Sequence, residues 1–451
     1  MRYCRDLPSA RNELRWLKEH ARDLAATRVL RNCSSATHTP PVAHKKKTKS
    51  PKTLTNFHDV EAIQNKILSR LVWQRSRGKP LQYILGTQPF GDLEIKCHEG
   101  VLIPRPETET YTEQIGKILS DRILDVKNDL ANKICQRKRI RILDLCTGTG
   151  CIALLLHSLL KPPPGTMAPS SVLSKTELGI EVVGLDISDR AVELARLNLK
   201  HNVEKRLLHP DARKDIHFAT RDIREIDVVP GKTSLETVAR GDRETRVYLN
   251  PELENQSLID GSWDVVISNP PYISSKELTG PGSVEKSVRK YEPRLALVPP
   301  DDDDCGPQDR SSPDLFYRLL VKVTRKVDAS LLVMEVGDSE QANRILRLAH
   351  RELSHGANEA LFESWRDNGS VRQNNHLGGL GHDPEKRTVA SEEGISDRVV
   401  VYWRGDWARW RRDTSTPPIA KNNQPAMCGP EKIKIDASRQ GITPLANQAT
   451  H

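Results

Sequence analysis

The sequence predicts an α/β fold: a parallel sheet with helices on both faces, preceded by a small helical domain and a β-hairpin connector. Three observations predict it. Between residues 140 and 403, six runs rich in Val, Ile and Leu alternate with helical patterns, as expected of strands buried on both faces. The first of these runs enters a Gly-rich turn that opens a helix. Ahead of any strand signal, two stretches repeat apolar residues at helical spacing.

The elements follow in order. Residues 9–24 read as a helix capped by Ser9, with Leu14, Leu17, Ala21 and Leu24 on one face. Residues 32–54 are rich in Ser, Thr, Pro and Lys, include Lys45–Lys47, and read as a flexible linker. A second helix is expected over 58–76, from Val60, Ile63, Ile67, Leu68 and Leu71. Residues 1–76 thus form an N-terminal helical domain interrupted by the linker. Residues 77–107 read as a β-hairpin connector, punctuated by Gly86, Pro89, Gly91 and Gly100. The main domain spans 108–410. Its strands are expected at 140–145, 180–186, 215–220, 263–268, 330–336 and 397–403. Its helices are expected at 108–135, 150–160, 188–201, 313–327 and 338–353. Polar stretches at 161–177, 226–260 and 366–396 read as surface insertions. Residues 411–451 lack periodicity and read as a disordered tail.

Composition limits the function classes. The 451 residues suit two or three domains. No run approaches the ~18 apolar residues of a membrane-spanning helix. The apolar fraction of 37% is low for this length, so part of the chain is expected not to pack. The net charge of +9 belongs to the first 54 residues, which carry 13 Lys+Arg and 4 Asp+Glu. The remainder is balanced, which argues against a nucleic-acid-binding body. The eight cysteines, Cys4, Cys33, Cys97, Cys135, Cys146, Cys151, Cys305 and Cys428, form no C-x-x-C pair. They read as reduced thiols of an intracellular protein, and no metal site is expected. His376 and His382 fall in an expected loop, and the run Asp301–Asp304 reads as a solvated turn.

Two motifs carry chemistry. In Ile142-Leu143-Asp144-Leu145-Cys146-Thr147-Gly148-Thr149-Gly150 a buried strand ends beside an acid and enters a Gly-rich turn. The glycines let backbone approach a ligand, and the following helix offers free N–H donors. Gly148-x-Gly150-x-x-Ala153 also fits a dinucleotide fingerprint. Asp144 would face a pyrophosphate there, whereas a carboxylate suits a cationic ligand. Asp186, ending the next strand, could bind a ribose diol in either case. This turn alone leaves S-adenosylmethionine and NAD both open.

The second motif separates them. The strand 263–268 runs into Asn269-Pro270-Pro271-Tyr272. Two prolines fix two φ angles at the strand end where open α/β sheets bind ligands. The Asn269 side-chain carbonyl and the Pro270 backbone carbonyl can hold the two N–H groups of a planar amide or amine. Tyr272 can offer a flat face to the same group.

With these segments the chain resembles class I S-adenosylmethionine-dependent methyltransferases, and more narrowly the PrmC/HemK type, the protein-(glutamine-N5) methyltransferases of translation release factors. The resemblance covers roughly residues 58–365 and 397–405. It rests on Pro80–Gly86, Phe90-Gly91, Leu102–Glu109, Asp144–Gly150, Asp186, Asn269–Tyr272, Tyr291-Glu292-Pro293 and the strand ending in Glu335, in the family's order. It implies a Rossmann-like methyltransferase sheet. Asp144 and the loop Cys146, Thr147, Gly148, Thr149 and Gly150 would hold the methionine end of S-adenosylmethionine. Asp186 would bind the ribose, and Asp222 and Ile223 would flank the adenine. Asn269 would touch cofactor and substrate, and Pro270, Pro271 and Tyr272 would hold the glutamine amide. Residues 104–109 would close over the site, and residues 1–76 would bind the release factor. The family often has Gly where this chain has Cys146; the thiol is small, and binding is expected to survive. The linker splits the helical domain and the first helix begins near Met1. Part of the usual N-terminal domain is therefore expected to be missing, or the gene start misplaced.

The expected reaction is direct methyl transfer to the side-chain nitrogen of a glutamine, in the Gly-Gly-Gln loop of a peptide chain release factor. No histidine base is needed, because the methylated amide can lose its proton to water. The expected protein is a monomer that requires neither nucleic acid nor membrane. Three rivals stand beside this reading. A DNA adenine N6-methyltransferase shares the Asn-Pro-Pro-Tyr chemistry but needs a basic track and a recognition domain. A non-catalytic binding protein of the same fold would not need Asp144, Asp186 and Asn269–Tyr272. An NAD-dependent oxidoreductase leaves Asn269–Tyr272 without a role. Family analogy places the protein in the mitochondrion, with cytoplasm as the alternative, although Asp6, Glu13, Glu19 and Asp23 suit a transit peptide poorly.

Overall fold

Two long helices open the chain. The structure, a computed structural model, describes residues 4, 6–35, 57–126, 139–165, 178–225, 263–280, 284–300, 313–354, 359–373 and 395–414. Helix α1 (Leu7–Ser35) buries Leu17, Ala21 and Ala25, four apart on one face, and α2 (Phe57–Ser76) meets it through Leu71. Leu14 and Leu24 share that face but remain 39% exposed, because the apolar partners gather about Leu17 and Ala21. Arg75 of α2 clamps Glu13 of α1 through Nε at 2.6 Å and Nη2 at 2.8 Å. α1 runs through residues 32–35, which the sequence assigns to the linker; residues 36–54 lie outside the described residues.

A short helix α3 (Leu81–Leu85) leads into an antiparallel hairpin, β1 (Thr87–Phe90) and β2 (Leu93–Lys96). Helix α4 (Pro106–Val126) follows, with Pro at its first position and Glu107 and Glu109 in its first turn, both favourable there. The continuation expected to residue 135 lies outside the described residues.

The main sheet contains β3 (Arg139–Leu145), β4 (Gly179–Asp186), β5 (Ile216–Thr220), β6 (Val265–Ser268), β7 (Leu331–Glu335), β8 (Ala360–Arg366), β9 (Val371–Gln373) and β10 (Asp397–Arg404), in the order β5-β4-β3-β6-β7-β10-β8-β9. Strands β5 to β7 pair in parallel, whereas β10 pairs antiparallel with both β7 and β8. The sheet is therefore mixed, correcting the all-parallel expectation.

Side chains alternate between two cores. Ile142, Val182, Ile267, Val333 and Val401 enter one; Leu143, Val183, Val266, Leu332 and Val400 enter the other. The first core takes α4, α5 (Cys151–Leu160) and α6 (Asp189–Glu204). A four-residue turn α7 (Ala212–Asp215) and the short helices α8 (Ser275–Thr279) and α9 (Lys286–Tyr291) follow in the chain, and the second core takes the amphipathic α10 (Leu315–Lys326) and α11 (Ser339–Leu353).

Two further expectations change. The stretch 366–396 is not wholly an insertion: Arg366 ends β8, and Val371–Gln373 forms β9 against Glu363–Trp365. The tail assigned to 411–451 begins inside α12 (Asp406–Asp413), where Arg411 is buried. Residues 166–177, 226–260, 374–394 and 415–451, with Asp301–Asp304, His376 and His382, lie outside the described residues.

Candidate active site

The C-terminal ends of β3, β4 and β6 open into one cavity of about 1090 Å³ including its mouth, the position expected for ligands of such sheets. β3 ends at Leu145, and the chain turns through Cys146–Gly150 into α5. Cys146, Gly148 and Gly150 all have left-handed backbone, at φ +60, +55 and +79. A Cβ on Gly150 would stand 2.9 Å from Phe218 and 3.0 Å from Ala195, so only glycine fits there. At Gly148 a Cβ would meet nothing within 4 Å, on a residue that lines the cavity.

Two carboxylates organise this turn. Asp144 is fully buried and accepts from the Thr147 hydroxyl at 2.6 Å. Its other oxygen has no hydrogen-bond partner among the described residues. Burial pushes its carboxyl up to about 7. Asp186 accepts from the Gly148 N–H and the Ser188 N–H, each at 2.9 Å, and lines the cavity. Burial raises its pKa as well, against those backbone bonds. Burial likewise pushes the Cys146 thiol upward, leaving it a neutral wall. After β5, Asp222 and Ile223 line the same cavity. Burial would raise Asp222, but the Arg224 side chain and N–H outweigh it and hold the carboxyl low.

β6 delivers Asn269, which lines the cavity together with Pro271. Asn269 Nδ2 donates to Thr108 Oγ1 at 3.1 Å. The Thr108 hydroxyl lies 2.7 Å from Glu335 Oε2 at the end of β7, and the Tyr272 hydroxyl lies 3.3 Å from Glu335 Oε1. Pro270 is buried outside the lining. Tyr272 also stands outside it, its ring within about 3.1 Å of the space beside Gly337. The structure therefore gathers Cys146–Thr149, Asp186, Asp222, Ile223, Asn269 and Pro271 around one space, with Asp144, Gly150, Pro270 and Tyr272 outside its lining.

A strap closes one side. Arg105 Nη2 reaches both Glu292 oxygens, at 2.7 and 2.8 Å, and the Glu292 carboxylate is 1% exposed. The Tyr83 hydroxyl donates to the Val101 carbonyl at 2.6 Å. On the other side Asn198 of α6 ties the hairpin to the turn: it accepts from the Lys96 N–H at 2.7 Å and donates to the Thr149 carbonyl at 3.0 Å. Asn198 escapes sequence reasoning as a site residue, and Thr108 enters it only as part of the segment 104–109 expected to close over the site.

The donor set fits S-adenosylmethionine. An unpartnered buried carboxylate oxygen behind the turn suits a cationic amino acid end, and Asp186 at the rim suits vicinal hydroxyls. A pyrophosphate would meet like charge at Asp144 and Asp186.

The family described as Eco57I restriction-modification methylase matches residues 181–294, a span that includes Asp186 and Asn269–Tyr272. The chain is 30% identical over 282 residues to the probable MRF1 mitochondrial N(5)-glutamine methyltransferase mtq1 of Schizosaccharomyces pombe, covering 61% of this chain and 69% of that protein. It is 30% identical to a release factor glutamine methyltransferase of Flavobacterium psychrophilum, covering 56% and 60%. It is 28% identical to the mitochondrial MRF1 N(5)-glutamine methyltransferase MTQ1 of Saccharomyces cerevisiae, covering 61% and 62%. The chain thus spans three fifths to seven tenths of these relatives, and at 30% identity across more than two thirds of the first it belongs to the family of N(5)-glutamine methyltransferases that act on release factors.

Proposed function

We propose that the chain transfers a methyl group from S-adenosylmethionine to the side-chain amide nitrogen of a glutamine in a peptide chain release factor, at its Gly-Gly-Gln loop. The observation that carries this reading is the convergence of Asn269 and Pro271 on the cavity formed by Cys146–Thr149 and Asp186. The names of the relatives support a release factor substrate, and two of the three support the mitochondrion as its place of action.

S-adenosylmethionine, when bound, supplies a methyl group already activated on a sulfonium. The residues of the chain then have to position the acceptor. An amide nitrogen is a poor nucleophile because its lone pair is delocalised. The Asn269 and Pro270 carbonyls accept its two N–H groups and aim the lone pair into the cavity. They also stabilise the positive charge that develops on nitrogen. Orientation of this kind can supply several kcal/mol of the ~7–11 kcal/mol available to well-aligned reactants. Asp144 and the turn Cys146–Gly150 hold the amino acid end, Asp186 the ribose, and Asp222 and Ile223 the adenine. No histidine lines the cavity among the described residues, and the acceptor proton passes to water. The helical pair α1–α2 is the docking element for the release factor in this reading.

The test is a methyl-transfer assay with labelled S-adenosylmethionine and a mitochondrial class I release factor, beside a Gln→Ala Gly-Gly-Gln control. Label on the glutamine, absent from the control, is the expected result. Asn269→Ala should lower kcat by at least about 100-fold, the scale of a lost orienting contact, while S-adenosylmethionine affinity falls less. Turnover near that of the unmodified chain would remove Asn269 from the reaction.

A further inference from the structure

Asn269 presents an ambiguity that its own position does not resolve. The two edges of a side-chain amide have nearly the same shape, one offering two donors and the other an acceptor. Only the acceptor edge can hold the N–H groups of a glutamine amide. Something else in the protein has to choose the edge.

The choice is built into a chain of three side chains from three elements. Glu335 is 3% exposed at the end of β7, and Thr108 is 2% exposed in the first turn of α4. Thr108 Oγ1 stands 2.7 Å from Glu335 Oε2 and 3.1 Å from Asn269 Nδ2. A hydroxyl has one proton and two lone pairs, and an ionised carboxylate can only accept. The Thr108 proton therefore goes to Glu335, and toward Asn269 the hydroxyl can only accept. That requires the NH2 edge of Asn269 to face Thr108 and leaves Oδ1 on the other side. A second donor, the Tyr272 hydroxyl, lies 3.3 Å from Glu335 Oε1, so the carboxylate orders the loop on both flanks of the double proline.

We propose that Thr108 is a positioning residue which, by donating to Glu335 and accepting from Asn269, fixes the Asn269 amide with its carbonyl edge toward the acceptor. This deepens the glutamine-methyltransferase reading and rests on it. Thr108 lines the same cavity as Asn269, and in this proposal it acts on the acceptor through Asn269.

Protonation gives an independent consequence. Burial pushes the Glu335 carboxyl up to about 7. The groups facing it are Glu107 and Tyr111 from α4, the Cys151 thiol of α5 and Tyr272 from the loop after β6, and the Tyr317 hydroxyl of α10 bonds its backbone carbonyl. Once protonated, Glu335 can itself donate, and the Thr108 proton is free to turn toward Asn269 with the wrong polarity. Turnover should therefore fall as pH drops through about 7. Asp144 titrates in the same range, so the limb is assigned by comparison with Glu335→Gln, in which the Glu335 contribution disappears.

The experiment measures kcat, KM for the Gly-Gly-Gln release factor and S-adenosylmethionine affinity for the full chain and for Thr108→Val, Thr108→Ser, Glu335→Gln and the Thr108→Val/Glu335→Gln double variant. Thr108→Val should lose at least about 10-fold in kcat, as expected for a misoriented group, with cofactor affinity changed less than about threefold. Thr108→Ser should stay within about threefold of the unmodified chain, and the double variant should be no slower than Thr108→Val, since both break one chain. The proposal is overturned if Thr108→Val keeps kcat within about twofold, if Thr108→Ser is as slow as Thr108→Val, or if the two single losses multiply. If Thr108→Val fails to bind cofactor, Thr108→Ala replaces it in the same comparison. A readout without turnover separates this proposal from the reaction itself. In protein carrying 15N at Asn side chains, the Asn269 Nδ2 signal, assigned by its loss in Asn269→Asp, should move in Thr108→Val and hold in Thr108→Ser. Transfer with an unmoved signal overturns the relay and keeps the reaction. A moved signal without transfer to Gly-Gly-Gln does the reverse.

Discussion

The Gly148 N–H donates to Asp186 Oδ2 at 2.9 Å, so the turn after β3 is anchored to the end of the neighbouring strand by one carboxylate. The other oxygen of Asp186 accepts from Ser188 at the start of α6. Asp186 therefore shapes the turn as well as offering a rim to ribose hydroxyls. Asp186→Ala should lower S-adenosylmethionine affinity at least about 10-fold and also lower the melting temperature, because two half-buried N–H donors lose their partner at ~1 kcal/mol each. Asp186→Asn keeps one acceptor oxygen and should fall between. Calorimetric titration and thermal melting of the same samples check both effects. An Asp186→Ala protein with unchanged affinity would show that the rim does not touch the cofactor.

The pH dependence of stability has an unusual sign here. Asp144 and Glu335 both lie near 7 because of burial, above the ordinary values of 3.8 and 4.5. Between about pH 4 and 7 the folded chain binds protons that the unfolded chain has released, so these two groups make stability fall as pH rises through that window. Urea unfolding without cofactor should therefore show midpoints that decline from about pH 5 toward 8, and Asp144→Asn should flatten the decline. Binding of a cation runs the other way, because an ionised Asp144 attracts it. S-adenosylmethionine affinity should rise through about pH 7 in the unmodified chain and not in Asp144→Asn. Affinity independent of pH in the unmodified chain would place the cofactor amino group away from Asp144.

Much of the site was legible because its motifs are contiguous. Asp144 to Gly150 is one strand and one turn, and Asn269 to Tyr272 is one loop, so their chemistry can be read without knowing what lies opposite. Contacts across the chain were not legible. Thr108 and Glu335 are 227 positions apart, and Asn198 meets Lys96 across 102. No periodicity links them. Tyr272 shows what a motif alone leaves out: the sequence offers its ring to the acceptor, and the structure adds that the ring lies beside Gly337 with its hydroxyl on Glu335. The fold followed the same division. The parallel strands announce themselves as apolar runs. β8 does not, because Glu363 and Ser364 interrupt it although both are fully buried. That interruption concealed the antiparallel half of the sheet.

Cys146 carries a backbone conformation that favours glycine, at φ +60. A side chain there costs roughly 1–2 kcal/mol, and glycine would remove this strain while adding about 0.5–1 kcal/mol of unfolded-state freedom. The two nearly cancel. Cys146→Gly should leave the midpoint of denaturation within about 1 kcal/mol and preserve cofactor binding. Cys146→Val, with a branched Cβ in the same conformation, should destabilise by more than ~2 kcal/mol. The thiol itself is held neutral by burial, so alkylating reagents should react with it slowly. Rapid modification of Cys146 at neutral pH would contradict that environment.

A buried carboxylate ties the antiparallel half of the sheet together. Glu363 is fully buried; it accepts from Trp365 Nε1 at 2.9 Å, Trp403 Nε1 at 3.2 Å and Arg411 Nε at 3.1 Å. These donors come from β8, β10 and α12, so the carboxylate joins three elements. The Arg411 guanidinium also stands 5.5 Å from the Trp403 ring. Removing one partner of such a buried pair leaves the other uncompensated, at ~3–5 kcal/mol. Arg411→Leu should therefore destabilise strongly even though its position lies near the end of the described chain. Glu363→Leu should do the same and leave two indole N–H groups without an acceptor. The double variant Glu363→Leu/Arg411→Leu should recover much of either single loss, because no charge remains buried. Urea unfolding of the four proteins measures the cycle. Additive losses would mean that the pair is held apart by water in solution and that α12 docks through Trp407 and Ala408 alone.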